Sequence, residues 1–241
     1  MKTADNISEF TIYRLSIYKR CLEELEREQM KTISSKDFAA RFGLNSAQVR
    51  KDLAFFGEFG IRGMGYPVTT LKEQILHILG LTDHAFGPRV WKAILIGAGK
   101  LGTALLKYTE LRQHKFEILA AFDANLNACE YIRQQQAAMV NAPIVLYPLE
   151  RLEQVVAEYA PDIAILAVTA ENAQMITDRL VYAGIHAILN FVPVQLLVPA
   201  SVKVRTVDLI AELQCLTYHL HQEEVQKLEK SQIETETSEV R

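Results

Sequence analysis

Apolar and polar residues recur with a helical period through the first third of the chain. Apolar positions separated by three and four residues, with charged residues between them, predict a helix over residues 7–30. Its buried face would carry Ile12, Leu15, Tyr18, Leu22 and Leu25. A further amphipathic helix is predicted over residues 69–81, and a turn-rich linker follows at 82–88.

Between these helices, two shorter helices are predicted on either side of a tight turn. Ser35 is expected to cap a helix over residues 36–42, and Gly43 is expected to end it. Asn45 is expected to cap a second helix over residues 46–56. Two helices joined by so short a turn are typical of a helix-turn-helix.

The second short helix has the pattern of a DNA-recognition helix. Gln48 stands three residues after Asn45, which predicts a capping box at the start of the helix. One apolar face would pack on the domain through Val49, Leu53 and Phe56. In a recognition helix, the first turns reach the base edges while the far side packs. The candidate DNA contacts on this helix are therefore Ser46, Gln48, Arg50 and Lys51.

A glycine-rich segment at residues 57–68 predicts a wing of two short strands joined by a glycine turn. Arg62 would lie at its tip, where a cation enters the minor groove, and Tyr66 is a second candidate contact. Residues 31–72 carry seven Lys or Arg against three Asp or Glu, although the whole chain has a net charge of −3. This indicates an anionic partner, here double-stranded DNA. The alternative is a hairpin that only covers the helices, with a solvated basic face.

After the linker, apolar runs alternate with helical patterns. Strands are predicted at residues 91–96, 116–122, 144–146, 163–168, 186–191 and 202–207, with helices at 101–112, 126–138, 149–158 and 171–182. Continuous apolar strands separated by helices indicate a parallel sheet that is covered on both faces. A last helix is predicted from Asp208 to about Glu224, and the polar residues after it are expected to fray.

The predicted fold class is thus α/β, with a winged helix-turn-helix domain followed by a Rossmann dinucleotide-binding domain and a C-terminal helix. The predicted boundaries are 1–84 for the DNA-binding domain, 85–207 for the Rossmann domain, 208–224 for the helix and 225–241 for a flexible tail. No apolar stretch approaches the length of a membrane helix, so a cytoplasmic protein is expected. Scattered cysteines give no metal-ligand spacing, and no metal is expected; they are Cys21, Cys129 and Cys215.

The first strand after the linker ends in a glycine-rich loop that opens a helix, Gly97-Ala98-Gly99-Lys100-Leu101-Gly102. In a dinucleotide-binding loop the first glycine makes the turn, the second admits the pyrophosphate, and the third brings helix and strand together. Asp123 ends the next strand, where the ribose-binding acid of such a unit lies. No arginine or lysine follows it before Arg133, which favours NAD over NADP. The alternative is a glycine-rich turn in an ordinary βαβ unit.

The ends of the later strands predict a mainly apolar pocket with one amide and one hydroxyl, lined by Thr169, Asn190, Phe191 and Pro193. They contain no acid–base pair for hydride chemistry, which favours a sensor over an enzyme. Because NAD+ carries a cationic ring and NADH a neutral one, an apolar pocket is expected to prefer NADH. Three alternatives remain: an NAD-linked oxidoreductase with a basic module, a repressor that binds another nucleotide such as a CoA derivative, and a purely structural dimer module, which would leave both glycine motifs unexplained.

Separated segments also share a family pattern: Asn45 to Gly57, Arg62 to Tyr66, Gly97 to Gly102 with Tyr108, Glu171 to Gln174, Ile188 to Phe191 with Pro193, and Val207 to Leu209. Through them, residues 10–222 resemble the Rex redox-sensing transcriptional repressors. The chain departs from the pattern at Ala167-Val168-Thr169, where many relatives have a proline after the valine.

The resemblance implies a homodimer whose Rossmann domains pair and exchange C-terminal helices. It further implies that the winged helices bind inverted-repeat operators and that NADH, unlike NAD+, releases the DNA. Arg20, Tyr108 and Asp208 are, by the same resemblance, candidate relays between the DNA-binding and nucleotide domains. An Arg–Asp pair is suited to such a role because it is able to form in one state and break in the other.

Overall fold

The computed structural model describes residues 7–83, 87–125 and 144–239. The chain divides into two compact units, Met1–Val90 and Trp91–Arg241. The division follows Val90, slightly later than the domain boundary predicted at 84/85. The helix predicted over residues 126–138 lies outside the described residues.

The first unit is mainly helical. Its helices are α1 (Glu9–Arg27), α2 (Ser35–Phe42), α3 (Ser46–Ala54) and α4 (Val68–Ile78). Two short antiparallel pairs join them, β1 (Thr32–Ile33) with β2 (Tyr66–Pro67) and β3 (Thr82–Asp83) with β4 (Gly87–Pro88). The segment predicted as a plain linker therefore contains a small strand pair.

The core of the first unit follows the predicted helical periodicity, with one exception. Burial is nearly complete on the predicted face of α1 at Leu15, Tyr18, Leu22 and Leu25. Ile12 lies at the edge of this face and is 38% exposed, so the prediction that it is buried was wrong. Val49 and Leu53 of α3 are buried as predicted, and they pack in the same cluster as the α1 residues.

The start of α2 differs from the prediction by one residue. Ser34, not Ser35, is the cap: its backbone is extended, and its hydroxyl accepts a hydrogen bond from the N–H of Asp37 at 3.1 Å. Ser35 is already the first helical residue. Gly43 ends α2 as predicted, with a left-handed φ of 63°.

The second unit contains one six-stranded sheet in which every pair is parallel. Its strands are β5 (Trp91–Ile96), β6 (Phe116–Asp123), β7 (Val145–Pro148), β8 (Ile163–Leu166), β9 (Ala187–Asn190) and β10 (Lys203–Thr206). Their spatial order is β10-β9-β8-β5-β6-β7, so the chain reverses its direction of travel across the sheet beside β5. The predicted Rossmann-type parallel sheet is confirmed.

Helices connect these strands and cover a sheet that is apolar on both faces. They are α5 (Lys100–Lys107), α6 (Glu110–Gln113), α7 (Leu152–Tyr159, preceded by one 3₁₀ turn) and α8 (Ala170–Tyr182). Alternate residues of β5 enter separate clusters, Ile94 and Ile96 on one face and Ala93 and Leu95 on the other. Burial on both faces explains the continuous apolar strands of the sequence.

The last helix, α9 (Leu209–Glu239), is longer than predicted. It continues well beyond Glu224, so the prediction of a frayed segment there was wrong as to backbone structure. Charged and polar residues with good helix propensity dominate this part of the chain, which favours continuation of the helix. Every side chain from Leu209 to Glu224 is exposed in the single chain.

Candidate functional site

The glycine loop joins β5 to α5 at the carboxyl edge of the sheet, beside the point where the strand order reverses. Two of its glycines are required by backbone contacts. Gly97 has a φ of 95°, and a Cβ built there would lie 2.3 Å from the carbonyl oxygen of Ala167. At Gly102 a Cβ would lie 1.8 Å from the carbonyl oxygen of Gly97. These contacts confirm the predicted turn and the close packing of helix on strand.

Gly99 is different, because among the described residues, its two chain neighbours aside, no atom lies within 4 Å of the position that its Cβ would take. It stands at the cap of α5 and has no side chain to satisfy the first helical N–H groups. A helix N-terminus with open space in front of it suits a phosphate group, through its N–H donors and its dipole. The loop therefore fits a pyrophosphate at the place that the sequence predicted.

The rest of the loop contributes backbone more than side chains. Ala98 is buried, whereas Lys100 and Leu101 are exposed. The hydroxyl of Thr103 donates to the carbonyl oxygen of Ala98 at 2.9 Å, which fixes the loop onto the first turn of α5. The side chain of Lys100 projects into solvent and is available to a ligand only if it folds back.

Asp123, at the end of β6, contacts the glycine loop directly. Its Oδ2 accepts a hydrogen bond from the N–H of Ala98 at 2.6 Å, and its Oδ1 accepts one from the N–H of Asn125 at 2.7 Å. Each carboxylate oxygen has a further lone pair, so Asp123 remains able to accept a ribose hydroxyl. Its role in holding the loop was missed in the sequence analysis.

The segment after β8 lies at the same edge of the sheet as the glycine loop. The N–H of Ala167 donates to the carbonyl of Ile96, and Thr169 occupies the N-cap position of α8 without a capping hydrogen bond from its side chain. The Thr169 hydroxyl accepts a hydrogen bond from the amide of Asn172 at 3.1 Å. Hydrogen bonds from its own backbone N–H and from the Thr169 hydroxyl lower the pKa of Glu171. The predicted ligand residue Thr169 is thus placed in a polar helix start.

Asn190 does not line a pocket with its amide as the sequence analysis predicted. It is fully buried, its Nδ2 donates to the carbonyls of Val192 at 2.8 Å and Val194 at 3.3 Å, and its Oδ1 accepts from the N–H of Val192 at 2.9 Å. The side chain therefore shapes the loop after β9. Of the predicted residues on that loop, Phe191 is half-buried and Pro193 is exposed.

In the first unit, α3 starts as predicted but without the full capping box. The Oδ1 of Asn45 accepts from the N–H groups of Ala47 at 2.9 Å and Gln48 at 3.0 Å. The side chain of Gln48 turns away from Asn45 and donates to Asp52 at 2.7 Å. In a capping box the Gln48 side-chain oxygen would accept from the N–H of Asn45. Its Nε2 instead donates to a carboxylate, and this charge-assisted hydrogen bond is stronger than a neutral one, which explains the difference.

The predicted DNA contacts of α3 are accessible to different degrees. Arg50 and Lys51 are exposed, whereas Ser46 and Gln48 are half-buried. The Nη1 of Arg50 donates to the hydroxyl of Ser35 in α2 at 3.0 Å, so this guanidinium is oriented across the turn. The two cations project from the face of α3 that does not pack on the core.

The wing is a tight turn rather than a regular hairpin. Ile61 and Gly65 form a single antiparallel bridge, and Arg62 is exposed between them as predicted. Tyr66 belongs instead to β2, which pairs with β1, and its ring is half-buried. Burial raises the pKa of Tyr66 despite the opposing charge of Arg50.

A buried polar cluster centred on Asp52 was not predicted from the sequence. Its carboxylate is fully buried and accepts Nε of Arg14 at 2.5 Å, Nη2 of Arg14 at 2.7 Å, the hydroxyl of Tyr18 at 2.8 Å and Nε2 of Gln48 at 2.7 Å. Burial acts to raise the pKa of Asp52, but the hydrogen bonds from Arg14, Gln48 and Tyr18 outweigh it and lower the pKa. An ionised Asp52 therefore ties α3 to α1.

The predicted relay residues are divided between the units. Arg20 is exposed on α1 of the first unit, and Tyr108 is 56% exposed at the end of α5 in the second. Asp208 caps α9, accepting at 3.0 Å from the N–H groups of both Ile210 and Ala211. Its carboxylate thus has a structural role that the sequence analysis did not assign.

The described residues show neither a metal site nor a membrane-spanning helix. No group of three or more His, Cys, Asp or Glu residues there is placed to hold a metal ion. No helix among those residues is long and apolar enough to cross a membrane. Of the cysteines, Cys21 is buried, with a pKa raised by that burial, and Cys215 is exposed. Cys129 lies outside the described residues.

The two units match separate family models, one described as "Putative DNA-binding protein N-terminus" over residues 6–54 and one as "CoA binding domain" over residues 89–194. Whole-chain relatives decide the family. The redox-sensing transcriptional repressor Rex of Carboxydothermus hydrogenoformans is 45% identical over 217 residues, covering 90% of this chain and 98% of its own. The chain belongs to the Rex family of redox-sensing transcriptional repressors. Its resemblance to that family in sequence is confirmed.

Other Rex relatives agree over the same length. The Rex repressor of Desulforamulus reducens is 44% identical over 214 residues, covering 89% of this chain and 95% of its own. A solved structure of RSP in complex with β-NAD+ and operator DNA has a TM-score of 0.79 at 36% identity, over 93% of this chain and 97% of that one. RSP in complex with β-NADH has a TM-score of 0.76 at 35% identity, over 94% and 99%. These relatives are named as repressors rather than as enzymes.

Proposed function

We propose that this chain is a repressor that binds inverted-repeat DNA as a homodimer in the cytoplasm and releases it when NADH occupies the second unit. The glycine loop of residues 97–102, the cradle for the pyrophosphate, carries the nucleotide part of the proposal, since no described residue beyond the chain neighbours of Gly99 fills the space in front of it. The RSP structures with NAD+ and operator DNA and with NADH support the pairing of these two ligands with this fold.

In the proposed nucleotide complex, the backbone of residues 97–102 holds the pyrophosphate and Asp123 accepts a ribose hydroxyl. Thr169, Phe191 and Pro193 flank the redox-active ring, and Asn190 positions the loop that carries Phe191 and Pro193. NAD+ would bring a cationic ring to this mainly apolar edge, and removing an unpaired charge from water is costly. A hundredfold preference for NADH corresponds to about 2.7 kcal/mol, which sets how far NADH shifts the equilibrium between DNA-bound and released forms.

The test is a mobility-shift titration of the full chain on a duplex that the nucleotide-free protein has selected from a pool of randomised inverted repeats. NADH should release the duplex, and NAD+ at the same concentration should leave it bound. Gly99→Ala should still bind DNA but should need at least roughly tenfold more NADH for release, because a methyl group intrudes on the phosphate position. A tenfold change corresponds to about 1.4 kcal/mol of binding free energy. Release by both nucleotides alike would contradict redox sensing.

A CoA derivative is the second candidate ligand, because residues 89–194 match a family model described as a CoA binding domain. The same titration separates the two ligands when CoA is added in a further arm. Asp123 favours NADH, since a ribose-binding carboxylate at the end of β6 is a feature of dinucleotide sites. If CoA releases the duplex and NADH does not, the ligand of the second unit is a CoA derivative and not NADH. The proposed DNA binding would still stand.

We propose that α9 is the dimer contact. Four exposed leucines recur at intervals of four, three and four residues along one side of the helix: Leu209 (64% exposed), Leu213 (57%), Leu216 (59%) and Leu220 (61%). An apolar stripe of this period is the pattern of helices that pack against another helix. A second copy of the chain supplies the partner, and two-fold symmetry then matches the two halves of an inverted repeat.

The full chain is expected to have about twice its chain mass of 27.2 kDa in solution, as measured by light scattering. Replacing both Leu213 and Leu216 with Lys should produce monomers, because two charges would be buried in the contact. Gln222→Lys is the matched control on the opposite side of α9 and should remain dimeric. A dimeric double variant would exclude α9 as the contact.

The relay remains part of the proposal: Arg20, Tyr108 and Asp208 are the residues that couple NADH binding to the release of DNA. Asp208→Asn tests this without removing the helix cap, because asparagine caps as well as aspartate does. We expect the variant to bind NADH normally and to need at least severalfold more NADH for release of DNA. Unchanged NADH-driven release would remove Asp208 from the relay.

A further inference from the structure

Gln48 lies in the first turn of α3, and a hydrogen bond to a buried carboxylate fixes the direction of its side chain. Its backbone N–H is held by Asn45, and its Nε2 donates to Oδ1 of Asp52 at 2.7 Å. Among the described residues, the side chain of Arg50 is held by a hydroxyl alone, that of Ser35. Gln48 is thus attached to a buried charge, whereas its neighbour depends on an exposed contact.

The chemistry of Asp52 decides which end of the Gln48 amide points inward. An ionised carboxylate has acceptors and no donor, so it takes the Nε2 end. Arg14 and Tyr18 occupy other lone pairs of the same carboxylate, which is fully buried between α1 and α3. Rotation of the Gln48 amide by half a turn would place two acceptors against each other inside this cluster, and it is therefore disfavoured.

The free edge of Gln48 consequently has a defined pattern. Its Oε1 remains as an acceptor, and the second N–H of Nε2 remains as a donor beside it. In the major groove, adenine presents an N6 donor next to an N7 acceptor, the complement of this amide edge. Guanine presents two acceptors there, and these would face Oε1 unfavourably.

We propose that Gln48 reads an adenine in each half-site, and that Asp52 is the positioning residue that fixes the reading edge of its amide. This rests on the proposed DNA-binding function and deepens it by naming a specificity determinant. Lys51 has a different part. It is exposed, and no side chain of the described residues orients it in the structure, so it suits a phosphate, which carries no sequence information.

The experiment is a selection from a pool of duplexes with randomised inverted half-sites, carried out with wild type, Gln48→Ala and Lys51→Ala, followed by affinity measurements on single-base variants of the enriched duplex. Wild type should enrich an adenine at one symmetric position and discriminate against other bases there by roughly tenfold or more. Gln48→Ala should lose that preference and keep the others. Lys51→Ala should weaken all duplexes alike and flatten the salt dependence.

Asp52→Asn tests the positioning role, because asparagine offers a donor as well as an acceptor and so frees the Gln48 amide to rotate. Discrimination at the adenine position should fall severalfold, while a purely structural loss would weaken every duplex equally. Combining Asp52→Asn with Gln48→Ala should produce no further loss of discrimination at that position. Circular dichroism establishes that each variant is folded, and the Gln48→Ala result stands by itself if Asp52→Asn does not fold.

The outcomes separate the two proposals. If wild type enriches no sequence, the proposed DNA-binding function fails, and the assignment of Gln48 fails with it. If wild type enriches an inverted repeat but Gln48→Ala keeps every base preference, only the assignment of Gln48 is overturned. If Gln48→Ala instead loses a preference for a base other than adenine, the orientation of the Gln48 amide inferred from Asp52 is overturned.

Discussion

An Asp52→Ala substitution is expected to lower the free energy of unfolding of the first unit by about 3 to 5 kcal/mol. The substitution removes the carboxylate to which Arg14, Tyr18 and Gln48 all donate. Tyr18 is buried in the core, so water cannot easily replace the lost partner of its hydroxyl. A buried donor left without a partner costs more than the hydrogen bond had contributed. Urea denaturation of the full chain, followed by circular dichroism, measures the loss.

Asp37→Ala is the matched control, because Asp37 is an exposed aspartate on the neighbouring helix α2. The decrease in unfolding free energy for Asp37→Ala should be much smaller, since water is able to replace the contacts of an exposed carboxylate. Trp91, the single tryptophan, belongs to the second unit and reports the unfolding of that unit by fluorescence. Equal losses in the two aspartate variants would show that the Asp52 cluster contributes nothing special to stability.

The same carboxylate makes the stability of the first unit depend on pH. Because hydrogen bonds from Arg14 and its neighbours lower the pKa of Asp52 in the folded state, its contribution is complete above its ordinary pKa of about 4. The contribution is lost as the pH falls through the lower, folded value. The difference in unfolding free energy between wild type and Asp52→Ala should therefore narrow below about pH 4.

The elements could largely be predicted from the sequence because the signals for them are local. The spacing of Leu15, Leu22 and Leu25 in α1 and the apolar run of β5 each reflect the burial of a single element. The glycine loop could be predicted equally well, since Gly97 and Gly102 stand at fixed positions in one short segment. Errors occur at element ends, such as the cap of α2 and the length of α9, where single hydrogen bonds and weak propensities decide.

The contacts of particular polar residues could not be predicted, because they join segments that are far apart along the chain. Asp52 stood in the sequence as one charge among others on a basic helix, and its partners Arg14 and Tyr18 lie on α1. Asn190 was expected to face a ligand, but a fully buried amide needs partners, and the backbone of the following loop supplies them. No periodicity in the sequence indicates either contact.

A Gly102→Ala substitution is expected to destabilise the second unit by about 3 kcal/mol or more, because its Cβ would lie 1.8 Å from the carbonyl oxygen of Gly97. Inside a helix, alanine is favoured over glycine by about 1 kcal/mol, and this gain opposes the clash. The clash prevails because Gly97 has no room to move. Its N–H donates to the carbonyl of Phe122 at 2.8 Å, and a shift would press it toward Ala167.

Gly99→Ala is the matched control, three residues earlier in the same loop, where a methyl group meets no atom of the described residues within 4 Å apart from its own chain neighbours. Denaturation followed by Trp91 fluorescence should show a large loss for Gly102→Ala and little change for Gly99→Ala. NADH titration of the folded proteins should show the opposite order, with the larger loss of NADH binding in Gly99→Ala. This variant retains its structure, but its methyl group obstructs the phosphate position. If both variants were as stable as wild type, helix α5 would have to lie farther from β5 than the structure places it, and the cradle for the pyrophosphate would lose its basis.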